Sequence, residues 1–148
     1  LGLKYVLPTM LKQGSGAVVN TASTAALFGA PGMAAYVAAK HGVAGITKVA
    51  SSDVARYGVR VNAICPGPVE TRMMRSLEAQ RNPADPEAVH AANAAGMPTG
   101  RYSSAEEVAN TVLYLCSELS ANITGTQLVI DSGRSASGGA AIAPRRNV

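Results

Sequence analysis

Apolar positions along the chain recur with two different periods. Leu1, Leu3, Val6, Leu7, Met10 and Leu11 repeat at helical spacing, and Gly14 and Gly16 end the run. Pro8 inside this stretch predicts a kink or a boundary. Residues 17–21 are a short β-branched run that predicts a fully buried strand. Residues 23–34, rich in Gly, Ala and Pro, predict a loop. A long helical pattern over 35–57 is closed by Gly58 in the manner of a C-terminal cap. Residues 59–64 form a second buried-strand run, which Pro66, Gly67 and Pro68 break sharply. Two short helices are predicted over 71–80 and 87–95, with Pro83 and Pro86 between them and Gly96 after the second. Ser103 or Ser104 caps a further helix to about Leu119, with Glu106 and Glu107 in its first turn. Gly125 precedes a last strand over 126–130, and the Gly-, Ser- and Ala-rich stretch from Ser132 predicts a loose tail.

Short apolar strands alternating with helices predict an α/β fold with a parallel sheet covered on both faces. Three strands are few for such a sheet, and their order matches the second half of a doubly wound dinucleotide-binding fold. Composition agrees: 47% hydrophobic and 15% charged residues over 148 positions suit one packed domain. No apolar run is long enough for a transmembrane helix, and the first residues carry no secretory signal, so no membrane partner is expected. The first residue is Leu1 rather than a Met, which predicts a preceding segment. The net charge of +4 reflects a basic tail, where Arg134, Arg145 and Arg146 face one acid, Asp131. No basic face with interleaved aromatics is present, so nucleic acid is excluded as a partner. Cys65 and Cys116, without a CxxC or a His at ligand spacing, predict two reduced thiols in the cytoplasm and no metal site.

Candidate chemistry gathers where ligands bind in open α/β sheets, beyond the carboxyl ends of the strands. Ser23 follows the first strand, Tyr36 and Lys40 begin the long helix, and Pro66 to Thr71 follow the second strand. Tyr36 and Lys40 are four apart and lie one above the other on a single helix face. An ammonium beside a phenol favours the phenolate, so such a tyrosine can exchange a proton near neutral pH. A serine from the facing loop can hydrogen-bond the same substrate oxygen. A Tyr-x-x-x-Lys pair alone is common by chance; its order after Ser23 and before Cys65-Pro66-Gly67 is what gives it weight.

In these motifs the chain resembles the C-terminal part of a classical short-chain dehydrogenase/reductase. The resemblance rests on Val18-Val19-Asn20-Thr21-Ala22-Ser23, Tyr36-Val37-Ala38-Ala39-Lys40, Arg60-Val61-Asn62-Ala63-Ile64-Cys65-Pro66-Gly67 and Thr124-Gly125-Thr126 through Asp131. It runs over residues 1–133 as part of a single Rossmann-like domain, with 134–148 as a flexible tail. It implies that Tyr36 is the acid/base, that Lys40 holds the nicotinamide ribose and supports Tyr36, and that Ser23 polarises the substrate oxygen. It implies further that Pro66, Gly67, Val69 and Thr71 face the nicotinamide of NAD or NADP, with the Val69 main chain and Thr71 hydroxyl on its carboxamide. Asn62 matches a structural position of the family. The implied reaction is hydride transfer between the nicotinamide and an alcohol or ketone, in a homodimer or homotetramer paired through the helices at 1–13 and 35–57.

Residues 72–100 would form a flap whose Met73, Met74, Leu77 and Met97 suit an apolar substrate, or pack the flap itself. A glycine-rich phosphate turn occurs nowhere in the sequence, and the family's catalytic asparagine would lie upstream of residues 1–13. The alternative reading is therefore a non-catalytic remnant that serves only as a structural or subunit-pairing module. His41, His90, Tyr102, Tyr114 and Cys65 read as surface or packing residues, His90 least suggestive of all among its alanines.

Overall fold

Strand and helix alternate much as the pattern predicts: α1 (Gly2–Gln13), β1 (Gly16–Thr21), α2 (Ala34–Val54), β2 (Val59–Pro66), α3 (Arg72–Arg81), α4 (Pro86–Ala95), α5 (Ala105–Cys116) and β3 (Gln127–Ile130). The computed structural model describes residues 2–136. Leu1 and residues 137–148, which carry most of the predicted tail, lie outside the described residues. The fold is α/β as expected, with a three-stranded sheet in the order β1-β2-β3. β1 and β2 run parallel, Gly16 opposite Val59 through Thr21 opposite Ile64. The chain divides into two compact units, one of the residues up to Pro66 with Ala109–Val129, the other of Gly67–Val108 with the residues from Ile130.

In the first unit the sheet centres on β2. Its residues are buried on both faces, Val59, Val61, Ala63 and Cys65 on one and Asn62 and Ile64 on the other, as a central strand of a parallel sheet requires. β1 is half-buried rather than fully buried, because it is an edge strand with β2 on one side only among the described residues. The α2 helix lays Ala44, Thr47, Ala50, Ser51 and Val54 onto the sheet, a face repeating every three to four residues. Two apolar clusters result, Ala50, Val54, Val59 and Val61 in one and Ala22, Ala26, Ala44, Ala63 and Cys65 in the other. Pro8 sits inside α1, and the helix runs on from Gly2 to Gln13.

Helix ends follow local chemistry. After α2 a 3-10 turn over Ala55–Tyr57 leads to Gly58 at φ 74°, a left-handed cap whose Cβ would collide with the Gly14 carbonyl. The predicted helix to Leu119 stops at Cys116. There the Arg60 guanidinium donates to the carbonyls of Leu115 (2.7 Å) and Ser117 (3.1 Å), groups that a continuing helix would have used. Asn62 ties β2 to the approach to β3, donating to Ile123 O at 2.8 Å and accepting from Thr126 N at 3.1 Å.

In the second unit Thr71 Oγ1 caps α3 by accepting from Met74 N, and Asp85 caps α4 by accepting from Ala88 N. Ser104 and Glu107 form a reciprocal capping box at α5. Asp131 accepts from Gly133 N and Ser135 N, so residues 132–136 are folded into turns.

Because Asn62 is buried and makes both of those bonds, Asn62→Ala leaves a buried donor and acceptor unpaired. We expect a loss of about 2–4 kcal/mol in stability of the full-length protein by denaturant titration; a loss below about 1 kcal/mol contradicts this role.

Candidate active site

Ser23 leaves β1 in an extended conformation, and its Oγ accepts from Ala25 N at 3.2 Å, starting the 3-10 turn over Thr24–Ala26. That oxygen already accepts, so its proton is free to donate; here it reaches Pro66 O at only 3.5 Å, a weak bond at the end of β2. On α2, Lys40 Nζ donates to Thr21 O at 3.0 Å, which brings the ammonium to the end of β1. The same ammonium lies 5.6 Å from the centre of the Tyr36 ring. Tyr36 is 40% exposed, and its hydroxyl bonds to neither Ser23 nor Lys40. Burial pushes the Cys65 thiol up from its ordinary range, against the lowering effects of a Ser23 backbone bond and the Lys40 charge. Cys65 is thus a protonated thiol in the apolar cluster under Ser23, as the packing reading expected.

Gly67, Val69 and Thr71 belong to the second unit. A Cβ on Gly67 would stand 2.9 Å from Asp131 Cβ, so only glycine fits where this turn crosses the end of β3. Val69 forms a parallel bridge with Ser103, in which Ser103 N donates to Pro68 O and Glu70 N to Ser103 O. Such a bridge turns the amide and carbonyl of Val69 itself the other way, and neither has a partner among the described residues. The Thr71 oxygen is occupied by Met74 N, which leaves its hydroxyl proton to donate. Of the apolar flap residues, Met97 is buried and packs the unit, whereas Met73 and Leu77 stand exposed on α3.

The sequence profile of the family described as enoyl-(acyl carrier protein) reductase matches residues 1–135. The chain belongs to the classical short-chain dehydrogenase/reductase family. It is 40% identical over 136 residues to levodione reductase of Leifsonia aquatica, covering 92% of this chain and 51% of that protein. The crystal structure of levodione reductase superposes with a TM-score of 0.88, over 91% of this chain and 52% of that one. An NAD+-bound xylitol dehydrogenase gives 0.80 at 35% identity, over 88% and 54% of the two chains. Actinorhodin polyketide ketoreductase with NADPH gives 0.78 at 39% identity, over 84% and 49%. The chain spans about half the length of the curated relatives it matches.

In the first unit the Lys40 ammonium keeps protons that suit ribose hydroxyls; in the second unit, taken by itself, the Val69 amide and carbonyl, without partners among the described residues, and the Thr71 hydroxyl proton suit a carboxamide. The 148 residues contain no glycine-rich turn for the pyrophosphate.

A group that sequence reasoning passed over lies beside the Val69 turn. Glu78 on α3 is 2% exposed and accepts from Tyr102 Oη at 2.7 Å; His90 Nδ1 is 3.1 Å from the same oxygen. His90 is therefore no bland surface residue, and Tyr102 is a packing residue with a polar anchor. Burial pushes the Glu78 carboxyl up, but the bonds from Tyr102 and His90 and the charges of His90 and Arg75 outweigh it and hold the group below its usual range. Burial, then the bond to Glu78, pushes the Tyr102 phenol up to about 12. A phenol whose folded value is raised contributes stability that is complete below its ordinary value of 10.0 and lost as pH climbs through about 12. A spectrophotometric tyrosine titration should show one phenol ionising near pH 12, and Tyr102→Phe should remove that step. A complete titration near pH 10 in the folded protein contradicts the buried pairing.

Proposed function

We propose that the full-length protein is an NAD- or NADP-dependent oxidoreductase that interconverts an alcohol and its ketone. The observation that carries this reading is the α2 face on which the Lys40 ammonium stands against the ring of Tyr36, a residue that is 40% exposed and whose hydroxyl has no partner among the described residues. When bound, the nicotinamide supplies or accepts the hydride. Tyr36 then gives its hydroxyl proton to the carbonyl oxygen in reduction, or takes the proton from the alcohol in oxidation. Lys40, anchored on Thr21 O beside the Tyr36 ring, would offer its remaining protons to the ribose hydroxyls. Ser23 exchanges its weak bond to Pro66 O for one to the substrate oxygen, where charge develops. In the second unit, the Val69 amide and carbonyl and the Thr71 hydroxyl would hold the carboxamide.

The relatives' names support a carbonyl or alcohol substrate, since levodione reductase and a cyclohexanol dehydrogenase, both 40% identical, are among them. Exposed Met73 and Leu77 favour an apolar one. Exposed Tyr5 and Val6 on α1 and Ile46 and Val49 on α2 support pairing of two or four copies through those helices. No helix among the described residues is long and apolar enough to cross a membrane. Free thiols at Cys65 and Cys116 suit the cytoplasm. A pairing-only role for the 148 residues is the rival reading, and the same exposed α1 and α2 faces favour it.

Tyr36→Phe in the full-length protein should lower turnover of a ketone substrate by roughly 100- to 10,000-fold while leaving dinucleotide affinity nearly unchanged. Turnover retained in that variant removes the proton-transfer role from Tyr36. A wild-type protein with neither dinucleotide binding nor turnover favours the pairing-only role.

A further inference from the structure

The Val69 turn is braced from one side by a residue with no part in the expected chemistry. Glu70 stands between the two residues assigned to the carboxamide, and its backbone N donates to Ser103 O at 2.9 Å. Its side chain is held separately: Glu70 Oε1 lies 3.2 Å from His90 Nε2, and Oε2 lies 3.3 Å from Arg75 Nη2. The other ring nitrogen of His90, Nδ1, faces Glu78 Oε1 at 3.1 Å. Carboxylate oxygens only accept, and a neutral imidazole has a single N–H to donate, so both contacts are satisfied only by the imidazolium. The ring is held by packing: it meets the Tyr102 ring in a T-shaped contact with centroids 4.7 Å apart at 76°, and Tyr102 in turn bonds to Glu78.

From this geometry we propose that His90 is a positioning residue: its imidazolium, bridging Glu78 and Glu70, fixes the backbone from Val69 to Thr71 on which nicotinamide binding depends. The inference rests on the proposed function and deepens it. Glu78 supplies the rigid end, since it is buried on α3 and anchored by Tyr102. Glu70 is the end that is moved. Arg75 also holds Glu70, but its side chain is 43% exposed and divides its contacts among Glu70, Glu78 and Glu87, so solvent screens that tie. The charged and titratable groups facing or flanking His90 are thus Glu70 from the turn, Arg75 and Glu78 from α3 and Tyr102 from the segment before α5, with Glu87 on α4 itself paired to Arg75. When the ring gives up a proton, one carboxylate faces a nitrogen lone pair instead of an N–H. Attraction then becomes repulsion, and the turn is released on one side. Dinucleotide affinity falls as pH rises.

The test is the dissociation constant of NADH and of NADPH for the full-length protein, read by nicotinamide fluorescence from about pH 5 to about pH 8, where histidine changes charge. For the wild type the constant should rise by about tenfold across that interval, the scale of one charge-assisted hydrogen bond. His90→Gln should bind at the weaker level throughout and lose the pH dependence, an effect that a loss of packing alone does not produce. Glu70→Gln removes the other end of the bridge at a partly exposed position and should flatten the profile in the same way, which keeps the test decisive if His90→Gln fails to fold. Binding in which the pH dependence survives either substitution, or is missing from the wild type, overturns the role of His90 and leaves the proposed function standing. A wild-type protein that binds neither dinucleotide at any pH overturns both.

Discussion

Burial of β2 on both faces is the constraint from which the first unit is built. A strand flanked by β1 and β3 and covered above and below has to be apolar at nearly every position, and its few polar groups have to find partners inside the fold. Asn62 does so with both ends of its amide, and Arg60 does so by taking up the carbonyls at the end of α5. The last residue of β2, Pro66, is where the Ser23 hydroxyl reaches across, so the end of a strand that Ser23 does not belong to lies against the side chain proposed to polarise the substrate.

The polar groups assigned to chemistry also perform local structural work. Ser23 starts a 3-10 turn and Thr71 starts a helix, each through its oxygen lone pair. Capping consumes acceptor capacity and leaves the hydroxyl proton unclaimed. A capped hydroxyl is therefore both oriented and available to donate, which is what polarising a carbonyl or holding a carboxamide asks of it. Lys40 follows the same logic, since one bond to Thr21 O fixes the ammonium beside Tyr36 and two protons remain.

Most elements were legible because their signals are local. Gly58 closing the α2 segment, the Pro66-Gly67-Pro68 break after β2 and the Ser104–Glu107 box at α5 each act within a few residues. So does the Tyr36–Lys40 pair, since helix geometry alone puts residues four apart on one face. The readings that changed depended on distant residues. β1 is half-buried because of its position in the sheet, and α5 ends early because Arg60, 55 residues before Leu115, captures its carbonyl. The Glu78 network was invisible for the same reason: His90 is 12 residues from Glu78, and Tyr102 is 24.

The sequence by itself thus determined the alternation of strand and helix, the helix face that Tyr36 and Lys40 share and the family, because periodicity, caps and contiguous motifs are properties of neighbouring residues. Tertiary structure alone decided what surrounds His90. A lone His among alanines carries no periodic signal, and its surroundings are set only when α3, α4 and the segment before α5 bring two carboxylates and a phenol around one ring. Burial then makes the pairing obligatory, because a carboxylate taken out of water needs a donor at hydrogen-bond distance.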